Sequence, residues 1–209
     1  MKPYRLKVKT LLTISGIISL LVFASVLHIW EHEDTKKLCK ILLHTGLLIL
    51  PISFLWWLLE KFGWHWSLIQ KNRSSLNIPP DFRGRWEGTI LREGESDPYK
   101  FVVEIRQTLS KVWVNTYSHR STSQSSIAEI ATDDSEGNFM LCFLWQGDDA
   151  EIPQRNIPKG IFHGYSLLQL YENETPKKLS GPYFTDREPQ TKGKIELNWI
   201  SFELKTKYE

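Results

Sequence analysis

The chain has 209 residues, with 26 Lys and Arg against 24 Asp and Glu and only two cysteines, Cys39 and Cys142. Charge is uneven: residues 1–78 hold ten basic and four acidic residues, while residues 79–209 hold sixteen and twenty. A net acidic second part argues against recognition of DNA or RNA polymers, which needs a basic face. Two cysteines exclude a disulfide framework or a four-ligand zinc site within one chain.

Residues 11–30, LLTISGIISLLVFASVLHIW, contain one ionisable side chain, His28. At about 1.5 Å per residue this run matches the ~30 Å hydrocarbon core of a bilayer, which predicts a transmembrane helix. Residues 41–59, ILLHTGLLILPISFLWWLL, predict a second span, bent at Pro51 and ending on Trp56 and Trp57, since indole rings favour the membrane interface. Lys2, Arg5, Lys7 and Lys9 precede the first span and Lys61, Lys71 and Arg73 follow the second, whereas the connector carries Glu31, Glu33 and Asp34. The positive-inside rule therefore places both termini in the cytoplasm. A secretory signal peptide also starts basic and continues apolar, but this run is long for one and a second span follows.

Residues 1–62 thus read as a transmembrane helical hairpin and residues 63–78 as a linker. The linker holds the interfacial Trp64 and Trp66, then a polar stretch that ends at Pro79 and Pro80. Residues 79–209 read as a separate, strand-rich domain. Its apolar and β-branched runs fall at 84–92, 99–107, 110–118, 122–132, 138–146, 161–172, 178–186 and 194–205, separated by Gly, Pro, Asp and Asn clusters. In the second run Phe101, Val103 and Ile105 share one face and Val102, Glu104 and Arg106 the other, the period of a strand with one buried side. Eight short strands without a crossover helix predict an antiparallel meander closing into an eight-stranded, lipocalin-like β-barrel, which leaves no open edge and can hold one small ligand. A two-sheet sandwich accommodates the same strand count. In GRW (84–86), a Gly-x-Trp like that opening lipocalin-type barrels, Trp86 reads as the plug of the barrel floor.

Residues 115–126, NTYSHRSTSQSS, include seven Ser or Thr, with Tyr117 and Arg120 among them. Hydroxyls and a guanidinium near an aromatic ring suit a phosphorylated nucleotide, because phosphate oxygens accept hydrogen bonds and a base stacks on the ring. The same composition also suits a solvated hydroxyl-rich hairpin. In GPYFTDR (181–187), Tyr183, Thr185 and Arg187 fall on one face and Asp186 on the other; Arg187 could equally pair with surface acids such as Glu188. His163 stands alone, more in the manner of a structural hydrogen-bonder than of a metal ligand. Without a phosphate-binding glycine loop, an HExxH sequence or a nucleophile elbow, no catalytic residue, metal site or cofactor is expected.

Two spans followed by GRWEG, IRQTLSKVWVNTYSHRSTSQSSIAEI, FHGYSLLQL and LSGPYFTDREPQTKGKIEL resemble the two-transmembrane, β-strand-rich effectors of bacterial CBASS anti-phage systems. The resemblance covers essentially the whole chain. It rests most on Gln107, Trp113, Ser121 to Ser126, His163, Gly164, Gly181, Tyr183, Thr185, Arg187 and Gly193. It implies a non-enzymatic effector in the bacterial inner membrane. Its cytoplasmic barrel would bind a cyclic dinucleotide made by a partner nucleotidyltransferase, and binding would drive self-association of the membrane segments and disruption of the bilayer. A ligand with two phosphates and two base faces needs cations, hydroxyls and aromatic plates. The candidate ligand-binding residues are Tyr117, Arg120, Ser121, Thr122, Ser123, Ser125, His163, Tyr165, Tyr183, Thr185 and Arg187. Two other classes stay open: a membrane-tethered lipocalin-like carrier, which wants an apolar cavity, and an adaptor, which wants an exposed apolar patch.

Overall fold

In the computed structural model the strand-rich part closes on itself. Residues 2–3, 53–54, 56–76, 78–119, 121–132, 138–148, 161–188 and 190–208 are described. The first expected span, 11–30, and residues 41–52 of the second lie outside the described residues; among those described, no helix is long and apolar enough to cross a membrane. The chain divides into two compact units, residues 5–78 and residues 1–4 with 79–209. Within the first unit, residues 56–61 are helical. The stretch expected as a linker is mostly short helix: a 3-10 turn at Gly63–His65 and helices at Ser67–Lys71 and Arg73–Leu76. Trp64 is buried and Trp66 exposed.

The second unit contains β1 (Lys2–Pro3), β2 (Gly84–Arg92), β3 (Tyr99–Gln107), β4 (Val112–Tyr117), β5 (Thr122–Thr132), β6 (Phe139–Asp148), β7 (Ile161–Tyr171), β8 (Lys178–Thr185) and β9 (Lys192–Ser201). Every strand from β2 to β9 pairs antiparallel with its sequence neighbours, and β9 returns to β2, giving a closed meander of eight. The barrel expected from the sequence is therefore present, and the sandwich is not. The two-residue β1 adds to β5 beside Ala131 and Thr132, where β4 has already left β5: the β4–β5 ladder covers only Asn115–Tyr117 against Thr122–Gln124.

Alternation fills the interior. Trp86 and Ile90 of β2, Phe101, Val103 and Ile105 of β3, Leu141 and Phe143 of β6, Leu168 of β7, Leu179 of β8 and Ile195 and Leu197 of β9 form one buried cluster. Trp86 is fully buried and its Nε1–H donates to the Phe82 carbonyl at 2.8 Å, as a floor plug should. Gln107 fixes the approach to β2: its Oε1 accepts from Phe82 N at 2.9 Å and its Nε2 donates to the Pro80 carbonyl at 3.0 Å. Gln107 is thus committed to the floor of the barrel. The deep interior is occupied by side chains.

The outer face of β3 departs from simple alternation. Val102 and Glu104 are as buried as the core, at 0% and 2% exposure, because the C-terminal segment after β9 crosses outside β2 and β3. Arg85 Nη1 donates to Glu104 Oε1 at 2.9 Å and to the Lys207 carbonyl at 2.8 Å, and Nη2 donates to the Tyr208 carbonyl at 3.0 Å. Glu104 Oε1 in turn accepts from Lys205 N at 2.8 Å. A buried ion pair thereby fastens the end of the chain to the barrel wall. Burial alone would raise the Glu87 carboxyl, but the hydrogen bond and charge of Arg85 outweigh it and hold Glu87 below its ordinary range.

Candidate functional site

The up-and-down order brings four connections to one end of the barrel, opposite the Trp86 floor: β2–β3, β4–β5, β6–β7 and β8–β9. Ten of the eleven residues singled out in the sequence fall in described segments at or near this mouth; Arg120 lies outside the described residues. Register decides which way each strand residue points. Ser123, Ser125, Tyr183 and Thr185 share rows with inward-facing Gly147, Trp145, Ser166 and Gly164. Tyr117, Thr122, His163 and Tyr165 belong to the outward rows. Ser121 lies in the turn before β5.

An open cleft of about 590 Å³ occupies the rim where β4, β5 and β6 meet. It collects Tyr117, Thr122, Ser123 and Ser125 from the predicted set and adds Asn115, Gln124, Ser126, Gln146 and Gly147. Most of its hydroxyls already serve the hairpin. Ser121 N donates to Ser118 Oγ at 3.0 Å, Thr116 and Ser123 share a hydrogen bond, and Ser125 Oγ accepts from Val114 N at 2.9 Å. The last of these takes the place of a ladder bond just before the irregularity between Ser125 and Ile127, and Ser126 Oγ donates to the Leu144 carbonyl at 3.2 Å. The hydroxyl-rich run therefore builds the turn as much as it lines the cleft. Burial, and then the nearby Glu104 carboxylate, raise the Tyr117 phenol above its usual range, with Asn115 acting in the opposite sense. Tyr117 stays neutral, and its side chain is largely buried beside the cleft.

Beside the cleft is a cation held over a ring. The Arg187 guanidinium lies 3.4 Å from the centre of the Phe162 ring, which meets Trp145 edge-on at 5.6 Å. Gly147 permits this: a Cβ there would lie 2.5 Å from Phe162 Cζ. Gly164 does the same for Trp145, whose Cζ2 would be 2.2 Å from a Cβ, and Trp145 Nε1 donates to buried Ser166 Oγ at 3.1 Å. Gly164→Ala is accordingly expected to destabilise the fold by about 1–3 kcal/mol by overpacking, measurable as a lower denaturant midpoint.

His163 and Asp186 form the latch that positions Arg187. Asp186 Oδ1 accepts from His163 N at 2.7 Å, Oδ2 meets His163 Nδ1 at 3.2 Å, and Asp186 N donates to the His163 carbonyl at 2.9 Å. The latch lies on the outer face, so the structure places His163 as a brace for the residue after Asp186. The backbone N–H of His163, ahead of its ring, holds the Asp186 carboxyl below its ordinary 3.8. A depressed carboxylate contributes stability above its unfolded value and loses it as pH falls through the folded one. A titration of the His163 amide proton shift should therefore show a midpoint below 3.8; a midpoint at or above that value would show that no latch forms.

The remaining candidates lie apart from the cleft. Burial pushes the Tyr183 phenol up to about 12, and its ring belongs to the core cluster. Thr185 Oγ1 bonds Thr191 Oγ1 at 2.7 Å and closes the β8–β9 turn. Tyr165 sits on the outer wall, its ring 5.4 Å from Phe184. The carboxamides of the cleft, and Phe162, carry no signal in the sequence that singles them out. Asn115 and Gln124 stand inside the very run selected for its hydroxyls, and Phe162 adjoins His163.

Comparison with known proteins identifies the family. Residues 77–199, more than half of the chain, match the family described as Cap15, cyclic dinucleotide receptor domain. CD-NTase-associated protein 15 of Staphylococcus schleiferi is 31% identical over 139 residues, which cover 66% of this chain and 69% of that protein. The chain belongs to the Cap15 family of CBASS-associated proteins.

Proposed function

We propose that the barrel senses a cyclic dinucleotide for a membrane-anchored CBASS effector, and that ligand binding drives assembly of the spans 11–30 and 41–59 and disruption of the bacterial inner membrane. The observation that carries the reading is the family match over residues 77–199, which encompasses the cleft and the Arg187–Phe162 stack. The name of the staphylococcal relative ties that protein to a CD-NTase, which supports a nucleotidyltransferase as the ligand's source here. The chain's own residues supply what such a ligand needs. Arg187 offers charge to a phosphate, and the rim offers a polar lining. A carrier of apolar molecules fits less well, because Trp86, Phe101, Leu141, Leu168 and Leu197 fill the barrel where an apolar cargo would sit.

Assembly requires that the ligand bind the associated form more tightly than the single chain. Ser15, Gly16, Ser19, Ala24, Ser25 and Gly46 are small enough to let helices approach closely within the membrane. Light scattering on the full chain in detergent should show the mass rising in steps of one protomer when cyclic dinucleotide is added. A constant mass at saturating ligand would exclude ligand-driven assembly.

A further inference from the structure

We propose that the rim cleft is where base identity is read, with the carboxamides of Gln124 and Gln146 meeting the hydrogen-bonding edge of one base and favouring adenine. This rests on the cyclic dinucleotide reading above and adds to it the residues that select the base. Gln124 and Gln146 are cross-strand partners on β5 and β6, which places their side chains together on one face. Both are exposed, and neither carboxamide hydrogen-bonds to another described residue. The neighbouring hydroxyls of Ser123, Ser125 and Ser126 are already engaged. With Thr122, the two glutamines are therefore the cleft groups best able to accept a new partner, and they alone of the three offer a carboxamide.

Their chemistry selects the partner. A carboxamide carries one acceptor and two donors and matches the N6 amino donor and N7 acceptor of adenine in two bonds; guanine shows two acceptors, O6 and N7, on the same edge, which suit Arg or Lys. Among the described residues that line the cleft, none carries a formal charge. At about 590 Å³ the cleft also lies within the range of small-molecule sites, roughly 300–1,000 Å³. Gly147 separates it from the cation. This residue lines the cleft and has no side chain, and Phe162, which carries the Arg187 guanidinium, packs against its other face. Gln146 pairs with outward-facing His163, so the two glutamines meet the base on the outer side of the wall.

The test is calorimetry on the full chain in detergent with three cyclic dinucleotides that share the same phosphodiester ring and carry two adenines, two guanines or two uracils. The wild type should bind the adenine ligand about tenfold or more tightly than the guanine ligand, the factor expected of one bidentate pair. Gln124→Leu combined with Gln146→Leu should weaken the adenine ligand by about the same factor and the guanine ligand by less than about twofold, with an unchanged melting temperature because both side chains are exposed. Equal losses for all three ligands, or no loss, would overturn the assignment. Wild-type binding without base preference would overturn this inference alone, whereas no binding of any of the three would overturn the receptor reading and this inference with it.

Discussion

Replacing Glu104 by alanine is expected to destabilise the barrel by about 3–5 kcal/mol, the scale observed when one member of a buried ion pair is removed. Glu104 and Arg85 side chains are each 1% exposed and 2.9 Å apart. Deleting the carboxylate leaves the guanidinium buried with, among the described residues, Glu87 alone to balance its charge. The deletion also removes the acceptor for the backbone N–H groups of Lys205 and Thr206. The C-terminal segment should then detach from Arg85 and β3 and uncover Val102. Equilibrium urea unfolding, read by the tryptophans, measures the loss. Exchanging both partners for apolar residues, Arg85→Met with Glu104→Leu, should be less damaging than Glu104→Ala, since no charge is then stranded. A loss under about 1 kcal/mol for Glu104→Ala would mean that the C-terminal segment contributes nothing to the fold.

Arg187→Ala should weaken binding of a cyclic dinucleotide by about ten- to a hundredfold, the equivalent of the roughly 1.5–3 kcal/mol assigned to a charge-assisted hydrogen bond. The guanidinium is already oriented by its 3.4 Å stack on Phe162 and by the His163–Asp186 latch, so little ordering is needed when a phosphate arrives. Lysine at this position should restore part of the affinity through charge alone, without the planar stack. Asp186→Ala should act in the same direction but more weakly, because it loosens the arginine without removing it. Unchanged affinity in Arg187→Ala would take Arg187 out of the site.

The barrel was legible because alternation with one buried face leaves a strong period-two signal. β2, β3 and β5 run over the residues expected for them, 84–92, 99–107 and 122–132. β4 starts at Val112, two residues later than expected, because Thr108 and Lys111 close a turn on each other. β9 stops at Ser201 because the remaining residues leave the sheet to cover β2 and β3. That covering could not be seen in advance: alternation reports which side of a strand is buried by the sheet's own partner, and Arg85 meets the Tyr208 carbonyl across 123 positions of sequence. The same limit applies to the site. Composition picks out a hydroxyl-rich hairpin and Arg187, but it cannot show that most of those hydroxyls build the hairpin itself. Nor could it show that Tyr183 would turn into the core and Tyr165 onto the outer wall. Orientation at the rim depends on the irregularity between Ser125 and Ile127 and on the two glycines, Gly147 and Gly164, that make room for rings.

The most direct measurement is an isothermal titration of the detergent-solubilised full chain with cyclic dinucleotides, alongside a long-chain fatty acid as an apolar probe. The account requires saturable binding of at least one cyclic dinucleotide, weakened by Arg187→Ala, and no binding of the fatty acid. Saturable fatty-acid binding with no heat from any cyclic dinucleotide would contradict it.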